Sequence, residues 1–255
     1  MEQTDDTTAR KTASRGGLHG WLRFFRAVNL PTVPGDVLAG AAAAIAFSAD
    51  ISPVCFRVAA WAAASSVFLY MFGLADNDVT GAGLDSGRPI PDGEITLAGA
   101  RIARGFCLGA ALVSAALGNL PPAWWISATA LLASIAMYNR TKRPFFMGLC
   151  RGLDVMCGGA AVSAATRPLS ACAALAAIWT VYFAAVTKYS EGEETDPSKR
   201  EFVGVLIGST IYLQLAALLV LTLLDGRIKP LLVTGAIMLI LLRLAKRSMP
   251  KVSAS

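Results

Sequence analysis

Residues 54–76 read VCFRVAAWAAASSVFLYMFGLAD, an apolar run whose only charge before the closing aspartate is Arg57. About 20 such residues, coiled as a helix, cross a hydrocarbon core roughly 30 Å thick. Seven further apolar runs flank it, at roughly 31–49, 97–119, 122–138, 146–166, 168–187, 203–224 and 229–245. Backbone polar groups must be paired within the chain in lipid, so helices are the expected spanning form. The alternating ten-residue pattern of a membrane β-barrel is missing. The composition agrees: 55% of the 255 residues are hydrophobic and 16% charged, where a soluble domain carries about 25% charged residues. The reading is an all-α, polytopic membrane bundle of about eight transmembrane helices. Residues 1–25 form a polar tail with no apolar core preceding a cleavage site, 26–247 the membrane domain, and 248–255 a C-terminal tail.

The net charge of +6 would suit nucleic acid only if it formed a solvated stripe. An even number of spans instead puts both termini and the loops after helices 2, 4 and 6 on one side. Nineteen Lys and Arg residues fall there and only Arg57, Arg167, Arg227 and Lys229 fall opposite. By the positive-inside rule the richer side, with both termini, is cytoplasmic. The charge is a topology signal, and nucleic acid is dropped as a partner. The five Cys residues lie in apolar spans without metal or redox spacing. His19, the one histidine, lies in the tail, which removes a histidine triad from consideration.

An internal repeat organises the spans. Asp36-Val37-Leu38-Ala39-Gly40-Ala41-Ala42 in helix 1 is matched by Asp154-Val155-Met156-Cys157-Gly158-Gly159-Ala160 in helix 5. Lys142-Arg143 after helix 4 is matched by Lys246-Arg247 after helix 8, and an acidic segment follows helices 2 and 6. Copies four helices apart share one orientation, so the halves, about 26–145 and 146–247, form a parallel repeat. Both acidic segments then face a single cytoplasmic mouth.

Three segments bear chemistry. Asp76-Asn77-Asp78-Val79-Thr80-Gly81 runs on through Asp85 to Arg88. Carboxylates and an amide flanked by Arg suit Mg²⁺ bridging to phosphate oxygens, or else a solvated loop past a span. Glu191, Glu193, Glu194 and Asp196 repel one another unless cations are close, and Lys188 stands three residues before Glu191. Tyr138-Asn139-Arg140-Thr141-Lys142-Arg143 reads as an anchor or as a grip on a diphosphate. Arg151, Asp154 and Asp36 lie inside spans, where ionisable groups face the bundle interior and pair.

With these residues assembled, the chain resembles the UbiA superfamily of intramembrane prenyltransferases. Asn77, Asp78 and Asp85 stand in register with its first motif, N-D-x-x-D-x-x-x-D. Arg88-Pro89-Ile90-Pro91-Asp92-Gly93 is similar to the segment that follows that motif, and Arg26-Ala27-Val28-Asn29-Leu30-Pro31 to the family's start of helix 1. Gly81 stands where the motif has its middle Asp, and the second motif, D-x-x-x-D, is replaced by the Glu-rich segment. The resemblance implies transfer of an isoprenyl group from an isoprenyl diphosphate to a small acceptor, with Mg²⁺ assisting ionisation. It implies Asn77, Asp78, Asp85, Glu191 and Glu194 as metal ligands, with Asp78, Asp85 and Lys142 at the reaction. Asn77, Arg88, Arg143, Tyr138, Asn29 and Asp154 would bind substrate. A non-catalytic carrier of a lipid-linked precursor and a terpene cyclase on the same scaffold are the alternatives.

Overall fold

The computed structural model describes residues 17–46, 54–82, 88–163, 167–193 and 196–248. A short helix, α1 (Leu18–Phe24), and a 3₁₀ turn (Leu30–Thr32) lead into α2 (Val33–Ala46). Then come α3 (Val54–Thr80), α4 (Leu97–Leu117), α5 (Pro122–Thr141), α6 (Pro144–Val162) and α7 (Arg167–Ser190). The chain continues through α8 (Pro197–Leu224) and a second 3₁₀ turn (Gly226–Ile228) to α9 (Lys229–Ser248). The described residues include no strand. The eight helices α2–α9 fall where the eight apolar runs lie, and five of them (α3, α4, α6, α7 and α8) are long and apolar enough to cross a membrane.

Helix starts follow local chemistry. Pro opens α5, α6 and α8, where its missing N–H costs nothing because the first-turn donors have no helical partner. Asp196 caps α8, its Oδ1 accepting from the backbone N–H of Ser198 at 3.0 Å and of Lys199 at 3.1 Å. Helix ends depart from the hydropathy reading by a few residues, α3 running on to Thr80 and α8 beginning at Pro197 among them. Hydropathy marks where lipid ends, whereas a helix continues into water as long as its backbone bonds are retained.

α2 runs through the middle of the bundle, every residue from Gly35 to Ile45 buried. It packs on α3, α6, α7 and α8. Its Ala and Gly residues let those neighbours come close, which matters because lipid supplies no hydrophobic drive between helices. The repeat takes physical form here. A Cβ on Gly40 would fall on the Val155 carbonyl, and a Cβ on Gly158 would fall on the Val37 carbonyl. Equivalent positions thus exchange the same contact across the α2–α6 pair, as a two-fold relation requires.

The outside of the bundle is apolar, and a small set of polar groups is buried within its apolar core. Ile102, Phe106, Val113 and Leu117 of α4 and Leu219, Val220, Leu223 and Leu224 of α8 are exposed. Asp36 is fully buried: Arg151 Nε stands 2.8 Å from its Oδ2, and its Oδ1 accepts from Trp179 Nε1 at 2.8 Å and Gln214 Nε2 at 2.5 Å. One carboxylate thereby ties α2 to α6, α7 and α8. Arg151 also donates from Nη2 to the Thr32 carbonyl at 3.3 Å and lies 4.6 Å over the Phe183 ring. The inward pairing expected of Asp36, Arg151 and Asp154 is present, but it runs between helices: Asp154 Oδ1 accepts from Ser66 Oγ of α3 at 2.5 Å.

Candidate active site

Because α3 stays helical to Thr80, Asn77 and Asp78 are buried helical residues and not part of a loop. Asn77 Oδ1 accepts from Lys142 Nζ. Lys142 ends α5 in the left-handed region, at φ 54°, and its N–H bonds the Tyr138 carbonyl at 2.7 Å. That conformation costs a residue with a Cβ about 1–2 kcal/mol, and here it turns the chain sharply into α6. It also sends the two basic neighbours different ways. Lys142 lines the mouth, its ammonium 5.8 Å from the Tyr138 ring centroid. Arg143 is exposed and lines none of the described cavities.

Asp78 Oδ1 accepts from Arg88 Nη1 at 2.9 Å. Asp76 faces away, paired with Arg104 at 3.1 Å and accepting from Asn139 Nδ2 at 2.7 Å. Between these groups and α6 opens a cavity of about 270 Å³. Arg26, Asn77, Arg88, Tyr138 and Lys142 stand at its mouth, and Tyr70, Leu131, Ile135 and Met147 line its walls. Arg151 and Asp154 lie deeper, seven to ten residues along α6 from Pro144, or roughly 10–15 Å at 1.5 Å per residue.

A second cavity of about 210 Å³ shares Arg26, Tyr70, Arg88, Tyr138 and Arg151 and reaches Asn29, Phe183 and Glu193. A third, about 380 Å³, is lined by Tyr138, Lys142, Ser190, Glu191 and Glu193. Tyr138 borders all three, so the segments after α3, α5 and α7 meet at one mouth, as the repeat implies. Glu191 is exposed and pairs with Lys188 at 2.6 Å, the i, i+3 contact expected from the sequence. Asp85 and Glu194 lie outside the described residues. The lining residues that the sequence does not single out as site residues include Arg26, Tyr70 and Glu193. Arg26 carries a late signal, a left-handed φ of 44° on a residue with a Cβ, which concentrates at functional positions.

The donor chemistry bears on Mg²⁺. Amide and carboxylate oxygens are the hard donors this cation takes; Asn77 brings an amide oxygen to the mouth, and the next residue, Asp78, a carboxylate bonded to Arg88. In kind the pair fits. Among the described residues no group of three His, Cys, Asp or Glu side chains is close enough to hold a metal ion.

A sequence profile of the UbiA prenyltransferase family matches residues 37–251. The chain belongs to that family. It is an integral, multi-pass membrane protein of the intramembrane prenyltransferase kind. No curated protein is matched by sequence. Among solved structures it is similar to digeranylgeranylglyceryl phosphate synthase, at 15% identity and a TM-score of 0.52, over 93% of this chain and 90% of that one. A UbiA homologue from Archaeoglobus fulgidus bound to GPP and Mg²⁺ shares 13% identity at a TM-score of 0.53, covering 91% of this chain and 87% of that one. The same homologue bound to DMAPP and Mg²⁺ gives 15%, with 90% and 86% covered, at 0.53. At these identities the likeness establishes the fold.

Proposed function

We propose that this protein transfers an isoprenyl group from an isoprenyl diphosphate to a small acceptor, at a mouth on the cytoplasmic side of the bilayer. One observation carries the reading: three cations, Arg26, Arg88 and Lys142, and the Asn77 amide oxygen converge on an apolar cavity inside a membrane bundle, with the Asp78 carboxylate bonded to Arg88. Guanidinium groups grip phosphate oxygens in pairs, and Lys142 adds a movable point charge. The prenyl chain runs along Leu131, Ile135 and Met147, whose side chains keep water from the reacting carbon. Asn77 and Asp78, with Asp85, Glu191 and Glu194, would hold Mg²⁺; the chemistry it supplies when bound is neutralisation of charge on the leaving diphosphate. Lys142 exchanges its bond to Asn77 for a phosphate oxygen, and Arg88 bridges Asp78 and the diphosphate. The C1–O bond then breaks and the allylic cation is captured by the acceptor.

The test is purified protein in lipid nanodiscs with geranyl, farnesyl or geranylgeranyl diphosphate, with and without Mg²⁺. Metal-dependent diphosphate release is expected, and Asp78→Ala lowers it at least about 100-fold, the scale of losing one preorganised charge contact, in a variant whose size-exclusion profile shows it folded. Absence of metal-dependent binding and turnover with all three diphosphates would sink the reading. Gly81, which offers no side-chain oxygen, favours a second reading, a carrier of a lipid-linked precursor. That protein would bind isoprenyl diphosphate equally well in chelator and release no diphosphate, with the bound lipid identified by native mass spectrometry.

A further inference from the structure

Prenyl transfer has a second substrate, whose nucleophile must lose a proton. Among the described residues that line the cavity, Asp154 is the one carboxylate. It lines the cavity well inside the bundle and is 4% exposed. Its Oδ1 is held by Ser66 at 2.5 Å, which orients the carboxylate from the neighbouring helix. Arg151, one turn earlier on α6, is committed to Asp36, to the Thr32 carbonyl and to the Phe183 ring. Arg151 is paired with Asp36, so among the described residues no cation is hydrogen-bonded to Asp154. The surrounding wall is Leu131, Ile135 and Cys150.

A carboxylate in such a wall does two things. Ionised, it is purely an acceptor, so it draws in an O–H or N–H donor. It also repels a second carboxylate, which would be buried there without a cation of its own. Resting on the prenyl-transfer reading above, we propose that Asp154 is the base on the acceptor side, taking the proton of a hydroxyl on an uncharged acceptor and excluding carboxylate-bearing ones. The step balances. The C1–O bond to the diphosphate breaks and its electron pair leaves with the diphosphate. A lone pair of the acceptor hydroxyl forms the new O–C1 bond, and the hydroxyl proton passes to the Asp154 carboxylate. The product is a neutral ether.

The experiment uses the full chain in nanodiscs with geranyl diphosphate as donor. Hydroquinone and a monoalkylglycerol serve as neutral acceptors and 4-hydroxybenzoate as the anionic counterpart. Wild type is expected to transfer to a neutral acceptor at least tenfold faster than to 4-hydroxybenzoate. Asp154→Asn lowers that transfer by about 100-fold, the usual scale of general-base loss, with the Kd for geranyl diphosphate within threefold of wild type, which also shows that the variant is folded. Asp154→Glu, which keeps a base one methylene further in, retains more transfer than Asp154→Asn. Equal use of 4-hydroxybenzoate, undiminished transfer by Asp154→Asn, or geranyl diphosphate binding with transfer to neither acceptor class would each overturn the assignment. Failure of wild type to bind geranyl diphosphate is a different result: it removes the prenyl-transfer reading itself, and this one with it.

Discussion

Asp36→Ala is expected to destabilise the bundle by about 3–5 kcal/mol, the cost of leaving one member of a buried ion pair without its partner. Asp36 is fully buried, and Arg151 faces it at 2.8 Å. Removing the carboxylate strands the guanidinium among α2, α6 and α7 with the Thr32 carbonyl and the Phe183 ring as its remaining partners. Trp179 loses its acceptor as well, while Gln214 keeps the Thr32 carbonyl at 2.7 Å. Replacing both charges, as Asp36→Ala with Arg151→Met, is expected to recover about half of the loss, because it removes the uncompensated charge but leaves the Trp179 N–H unbonded. Equilibrium unfolding in nanodiscs measures both. An Asp36→Ala protein within 1 kcal/mol of wild type would show that the four-helix junction does not depend on this carboxylate.

The second large effect belongs to the α2–α6 contact. Gly158→Val places a Cβ on the Val37 carbonyl oxygen, and a backbone atom cannot yield as a flexible side chain does. A loss of at least about 3 kcal/mol is expected, at the upper end of overpacking costs. Because α6 also carries Arg151 and Asp154, diphosphate release should fall with it. Gly105→Ala and Gly109→Ala on α4 are the controls, since a Cβ at either meets nothing within 4 Å. Those two should be neutral or gain about 0.5–1 kcal/mol from helix propensity. Thermal unfolding with size-exclusion profiles separates the cases. If Gly158→Val matches the α4 controls, the reciprocal packing of the repeat carries no weight in stability.

Much of the site was legible in the sequence for a specific reason. Asn77, Arg88, Tyr138 and Lys142, which line the cavity, and Asp78, bonded to Arg88, come from segments next to span ends, and span ends follow from local hydropathy. The repeat then placed those ends on one side without any tertiary information. Arg143 shows where that reasoning stops. The resemblance groups it with Lys142 as a substrate contact, yet one left-handed residue, Lys142 at φ 54°, parts them. No composition or spacing encodes that dihedral; it comes from closing α5 onto α6 in two residues.

The sequence by itself determined the class: a parallel-repeat, all-helical membrane bundle with its polar chemistry gathered at one mouth. Burying backbone in lipid leaves few structural options, and an apolar run of about 20 residues is a property of adjacent residues. Only the tertiary structure decided which charges meet. Arg151 has Asp154 one turn away on its own helix, yet it pairs with Asp36, 115 positions distant in the chain. The reason lies in the close α2–α6 approach at Gly40 and Gly158, which carries Asp36 to Arg151 and leaves Asp154 for Ser66 and the cavity. Charge pairing inside a bundle is set by how near two helices can come, and that distance is a property of the assembled fold.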